Sequence, residues 1–115
     1  MATVTIPIEK YEGQSLELHQ AAKNNDLKKL KLLISNGCDI DEQDGNGSTA
    51  LIYASSVGNL ESVKYLIENG ANKELRDNLG YDAYHAAMFY GDFRGSTVEP
   101  FNQILVLTEH GDKNT

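Results

Sequence analysis

A spacing of 33 residues runs through this chain and constrains its architecture more than any local propensity does. Ala21, Ala54 and Ala87 are each 33 apart, Asn25, Gly58 and Gly91 keep the interval, and Gly37 and Gly70 keep it again. The apolar pattern travels with them: Leu27, Leu30, Leu33 and Ile34 recur as Leu60, Val63, Leu66 and Ile67. That spacing of i, i+3, i+6, i+7 sets all four on one helical face, so each unit contains an amphipathic helix. Asp26 and Asn59 stand just before these helices, where a side-chain oxygen accepts from free backbone N–H groups, and Gly37 and Gly70 follow their ends. Upstream, Thr49 and Asp82 are capping types that open a shorter helix, over about 49–57 and 82–90, with small residues at its packed positions. Two antiparallel helices per unit follow. Between units, 39–47 and 72–80 are polar, contain glycine and are long enough for hairpin-like turns.

Length and composition exclude several classes. With 115 residues there is room for one core, and no apolar run approaches the roughly 18 residues of a membrane span. The opening MATVTIPIEKYEG has neither a basic start nor an unbroken apolar stretch, so no secretory signal is visible and a cytoplasmic protein is expected. The single cysteine, Cys38, closes no internal disulfide and supplies no thiolate zinc cage; it aligns with Ala71 and reads as a small buried apolar residue. Seventeen acids against ten bases give net charge -7, the wrong sign for nucleic acid. The acidity is uneven: residues 1–31 hold five bases and four acids, which leaves five bases and thirteen acids for 32–115. Asp39, Asp41, Glu42 and Asp44 crowd one loop, as a solvated turn does, or as a surface that steers a basic partner.

The residues resemble the ankyrin repeat, whose period is about 33 and whose signature includes T-P-L-H-x-A. Here it reads Leu16-Glu17-Leu18-His19-Gln20-Ala21, then Thr49-Ala50-Leu51-Ile52-Tyr53-Ala54, then Asp82-Ala83-Tyr84-His85-Ala86-Ala87. The second copy is the most faithful, and all three lack the signature proline. The resemblance implies a mainly α solenoid of three helix-turn-helix repeats, about 11–43, 44–76 and 77–115, behind an N-terminal arm, 1–10, in which Val4, Ile6 and Ile8 alternate. Gly70 to Gly111 spans 41 residues where 33 is expected, so eight residues, 93–100, are inserted before Phe101, Ile104 and Leu107 resume the apolar face. Pro100 fits the first turn of that helix.

Several apparent sites dissolve in the repeat. Glu42-x-Asp44-x-Asn46-Gly47 imitates a calcium loop, but its twelfth position is Tyr53, where a bidentate Glu is needed. Asn46-Gly47-Ser48 is a glycosylation sequon in a chain without a visible signal sequence, and Gly45 and Gly47 lack the Gly-Lys-Ser/Thr of a phosphate loop. His19 and His85, 66 apart, occupy the family's signature histidine, which hydrogen-bonds between neighbouring loops. Neither catalysis nor a cofactor nor a metal is expected.

What remains is binding. The resemblance implies partner-facing positions at the loop tips and at the ends of the first helices. By alignment these are Asn46 and Ser48 on one loop, Asn78, Leu79 and Tyr81 on the next, and Lys23, Asn24, Ser56, Val57, Phe89 and Tyr90 on the helices; Asp41, Glu42 and Asp44 join them as acidic contacts, from their charge and not from the alignment. Six of nine aromatics lie between Tyr81 and Phe101, so the third repeat carries either a binding patch or, through Phe93, Val98 and Phe101, a cap over the end of the stack. The expectation is a non-catalytic module that binds a protein with a basic surface. The alternatives are a stoichiometric inhibitor or immunity-type protein that occludes an enzyme or toxin, and a homo-oligomeric subunit joined through the third repeat.

Overall fold

Alanine sets the distance between the inner helices. A computed structural model describes residues 17–93 and 99–110, with the backbone alone at 90–93. The described residues form six helices and no strand: α1 over 17–24, α2 Leu27–Ser35, α3 Ala50–Val57, α4 Leu60–Glu68, α5 Ala83–Phe93 and α6 Phe101–Thr108. They pair as α1–α2, α3–α4 and α5–α6. Among α2 to α6, α3 and α5 make the most extensive contact, and Ala50, Ala54, Ala83, Ala86 and Ala87 of these two helices are all buried with almost no exposed surface. Side chains this short let two helix backbones approach closely. The second helices close the core from the other side with Leu30, Leu33, Val63, Leu66 and Ile104, all buried, while Leu27, Ile34, Leu60 and Ile67 pack against it half-buried. Each fully buried leucine or isoleucine contributes roughly 1.5–3 kcal/mol.

Helix ends repeat as faithfully as helix faces. α1 and α3 both stop on a left-handed residue, Asn25 at φ 56° and Gly58 at φ 81°. The next N–H in each case bonds five residues back, Asp26 to Ala21 O and Asn59 to Ala54 O, both at 2.9 Å. Asp26 Oδ1 accepts from Lys29 N at 3.2 Å and Thr49 Oγ1 from Ile52 N at 3.1 Å, so both cap as expected. Asn59 does not. Its Nδ2 donates instead to the carbonyls of Ala22 and Lys23, both at 2.8 Å, because the last turn of α1 leaves carbonyls without helical partners.

Three other expectations are corrected. α5 runs to Phe93, through Gly91, so the helical backbone continues where its equivalent Gly58 makes a left-handed stop. Cys38 is half-buried against the core, not sequestered; burial raises its thiol pKa, with the Asp39 and Glu42 carboxylates adding to the effect. Phe101 is core, as a resumed apolar face requires: it is buried and its ring lies against Gly58, where an added Cβ would stand 3.0 Å from Phe101 Cζ. Leu107 is half-buried while Thr108 fills the covered position, its hydroxyl donating to Ile104 O at 2.7 Å. The N-terminal arm, and the stretch 94–98 of the insertion with Val98, lie outside the described residues.

Gly47 and Gly80 are equivalent in the repeat and take the same backbone, φ 78° and 90°. At Gly47 a Cβ would sit 2.5 Å from Asn78 Oδ1 and 2.8 Å from Asn78 N, whereas at Gly80 no described atom lies within 4 Å. Gly80→Ala should therefore cost about 1 kcal/mol of backbone strain, and Gly47→Ala about 2–3 kcal/mol because the next loop must also move. Urea midpoints of the two variants measure the difference.

Candidate interaction surface

The loops that carry most of the expected contact residues are built on one carboxylate each. Asp44 Oδ1 accepts from Asn46 N at 2.9 Å and Ser48 N at 3.0 Å; 33 residues on, Asp77 Oδ1 accepts from Leu79 N at 3.0 Å and Tyr81 N at 2.9 Å. Both turns close identically, with Asp44 N donating to Ser48 O and Asp77 N to Tyr81 O. Gln43 and Arg76, again 33 apart, donate to the carbonyls of Gly47 and Gly80 at 2.8 and 2.9 Å. The second loop is then tied to the first: Asn78 N donates to Asn46 O at 2.9 Å, Asn78 Nδ2 to Gly45 O at 3.0 Å, and Gln43 Nε2 to Arg76 O at 3.0 Å.

The acidic cluster is consequently a scaffold of acceptors. Asp39 Oδ1 takes the N–H of Asp41, and Asp41 Oδ1 takes the N–H of Asn72 at 2.8 Å, across to the next repeat. Asp44 Oδ2 accepts from the Tyr53 hydroxyl at 2.5 Å. Burial works against the Asp44 charge, but the Tyr53 hydroxyl and the Ser48 and Asn46 amides outweigh it and hold the carboxyl below its usual range. Tyr53 moves the other way, through burial first and the Asp44 hydrogen bond second. His19 Nε2 donates to Glu42 O at 3.0 Å, the loop-bridging bond implied for it.

His85 makes no such bridge. Its Nδ1 donates to Asp82 Oδ1 at 2.7 Å, the oxygen that also accepts from His85 N at 2.8 Å, and its side chain is 45% exposed. His110 Nε2 donates to the other oxygen at 2.8 Å, so one fully buried carboxylate gathers the N-terminus of α5 and the segment after α6. Sequence pattern could not find this cluster, because the insertion shifts His110 out of the 33-residue register.

Large apolar groups collect at the third repeat. The rings of Tyr81 and Phe89 stack with centroids 5.7 Å apart and planes 19° from parallel, joining the second loop to the exposed side of α5. Phe89 is 48% exposed and Leu79, at the loop tip, 80%. Val57, at the end of α3, is also exposed, and Lys23 Nζ lies 4.7 Å over the Tyr53 ring. Of the other expected positions, Asn46 is exposed, Asn78 is exposed but tied to Gly45, and Ser56 is half-buried with its hydroxyl on Tyr53 O at 2.9 Å. Ser48 is the correction: it is 5% exposed and forms the base of the turn. The Tyr90 side chain lies outside the described atoms. No helix among the described residues is long and apolar enough to cross a membrane.

Stacked helix pairs, joined by loops that bond to one another at a fixed interval, define a repeat solenoid that offers loop tips and one row of helix ends as a continuous surface. The family model for ankyrin repeats, in three copies, matches residues 18–113, and the chain belongs to the ankyrin-repeat family. Ankyrin repeats are generally non-catalytic modules for protein–protein interaction. Among curated proteins no match to the chain is found.

Asp82 yields a prediction with a definite sign. Burial opposes its charge, but the His85 N–H and the two histidine rings prevail and keep its carboxyl below the usual range. The unfolded chain therefore takes up the proton first: the stabilisation is complete above about pH 4 and is lost as pH falls toward the folded value. Asp82→Asn should cost about 1–3 kcal/mol at neutral pH and flatten the fall in stability below about pH 4. Urea unfolding across that range reads both effects, and an unaltered acid limb would contradict the assignment.

Proposed function

We propose that the chain binds a protein partner through the loop tips and first-helix ends of its second and third repeats, centred on Leu79, Tyr81 and Phe89. The stacked Tyr81–Phe89 pair beside an 80% exposed leucine carries this reading. Exposed aromatic and apolar groups held rigidly in one patch are what interface hot spots consist of, and a solvated surface gains nothing from them. Asp77 fixes the Leu79 and Tyr81 backbones, so little conformational freedom remains to be lost on docking. Tyr90 is included from sequence alone, by its 33-residue register with Val57.

The partner's complementary surface is basic. Support comes from the net charge of -7 and from Asp39 and Glu74, which stand exposed on successive loops. Asp41, Glu42 and Asp44 contribute through the field of the loop, since charges at the rim of an interface act mainly on the rate of association. The patch occludes whatever it covers, which makes inhibition of the partner its simplest consequence.

The test separates binding from folding. A partner recovered from native extract on the immobilised chain should bind about thirtyfold more weakly, or roughly 2 kcal/mol, to Leu79→Ala and Phe89→Ala variants by calorimetry. Both side chains are exposed, so unfolding midpoints should move by no more than about 0.5 kcal/mol. A loss of roughly 3–5 kcal/mol in stability with unchanged affinity would make the rings part of a cap instead.

A further inference from the structure

The exposed apolar residues of the described chain fall on two faces. Val57, Leu79 and Phe89 belong to the surface above, but Leu32 and Val106, 58% and 72% exposed, sit on the second helices α2 and α6. Tyr65 of α4 stands in the same register between them, 33 residues after Leu32 and, across the insertion, 41 before Val106. One large apolar residue therefore recurs at this position in every repeat, exposed at Leu32 and Val106 and half-buried against the edge of the core at Tyr65.

Between α2 and α4 this row opens into a groove of ≈ 630 Å³, with Leu32 and Tyr65 at its floor and Lys28, Lys29 and Lys31 around it. α2 and α4 touch only lightly, which leaves the floor accessible. Lys31 Nζ lies 5.6 Å from the Tyr65 ring centroid. Among the described residues, none of the three ammonium groups has a carboxylate within 4.0 Å. The one acid in the groove wall is Asp26, and it is engaged as the cap of α2. With the Asp26 charge counted, Lys28, Lys29 and Lys31 still leave the groove wall at +2, a local reversal of sign on a chain of net charge -7.

We propose that this groove binds an acidic segment of a partner protein, with carboxylates set on Lys28, Lys29 and Lys31 and one apolar side chain seated between Leu32 and Tyr65. The apolar floor separates this occupant from a nucleic acid, whose backbone offers nothing to bury there. The net negative charge of the rest of the chain separates it from an anionic membrane, which would be repelled at any contact wider than the groove. The lysine stems add apolar wall while their charges stay at the rim. The groove lies on the second helices and shares no residue with the Leu79–Tyr81–Phe89 patch, so either surface can fail its test without the other.

The probe is a short peptide with a central leucine flanked by glutamates, titrated at low salt into the isotope-labelled full chain and followed by backbone amide shifts. Shifts should be confined to 27–35 and the neighbourhood of Tyr65. Lys28→Glu with Lys31→Glu should weaken binding about tenfold or more, as should replacing the peptide's glutamates by glutamines or its leucine by glycine. Both lysines are exposed, and an unchanged urea midpoint establishes that the variant is folded. The proposal is overturned if no shifts occur, if they centre on Leu79 and Phe89, or if charge reversal leaves affinity unaltered. It is equally overturned if a DNA duplex or a phosphatidylserine vesicle engages these residues more tightly than the peptide.

Discussion

Asp44 and Asp77 hold the structure to its period. A loop between helices has backbone N–H groups that no helix satisfies, and burying or packing them without partners is costly. Each of these carboxylates gathers two such groups and fixes a turn of one shape, so successive loops can lie side by side and bond to each other through Gln43 and Asn78. The stacking of loops in turn lines α3 up with α5, so that their alanines meet and set the distance between them. Much of the chain's acidity is thus internal chemistry: Asp39, Asp41, Asp44, Asp77 and Asp82 all accept from backbone amides.

Features that recur at the period were legible from the residues alone. Capping by Asp26 and Thr49, the helix ends at Gly37 and Gly70 and the buried faces of α2 and α4 follow from local composition at a fixed interval, whereas the bridging role of His19 came with the resemblance to the ankyrin repeat. What escaped is whatever crosses between repeats off the period. Asn59 reaches back to carbonyls 36 and 37 residues away, and Ser62 donates to Asn25 Oδ1 at 2.8 Å across 37. No pattern in one helix reveals such pairs, because the donor satisfies a helix end that belongs to its neighbour. The insertion defeated sequence reading for a related reason, since α5 overran Gly91 and His110 reached Asp82 only once the register had slipped.

The expected contact positions divide along the same line. Ser48 and Tyr81 are equivalent in the repeat, yet Ser48 is buried at the base of its turn while Tyr81 remains half-exposed and meets Phe89. A small polar residue suits the position where a neighbouring loop packs closely, as Asn78 does on Gly47. A ring suits it where no described loop packs against the turn, as at Gly80. Residue size at an equivalent position therefore follows the space that the neighbouring repeat leaves, and the third repeat has the space to carry apolar groups that the second cannot.

Sharing of the core also decides which surfaces are free to evolve toward partners. A helix pair in a stack commits two of its faces to its neighbours, and the remaining two are the row of first-helix ends with its loops and the outward stripe of the second helices. Charge separates these two surfaces in this chain. The loops concentrate carboxylates because turns need acceptors, whereas α2 is free of that need and carries Lys28, Lys29 and Lys31 around an apolar floor. If both proposed surfaces bind, their opposite signs would hinder one ligand from competing for both, and the fold would hold two different proteins at once. The distance between them is then fixed by the stacked helices and needs no flexible linker.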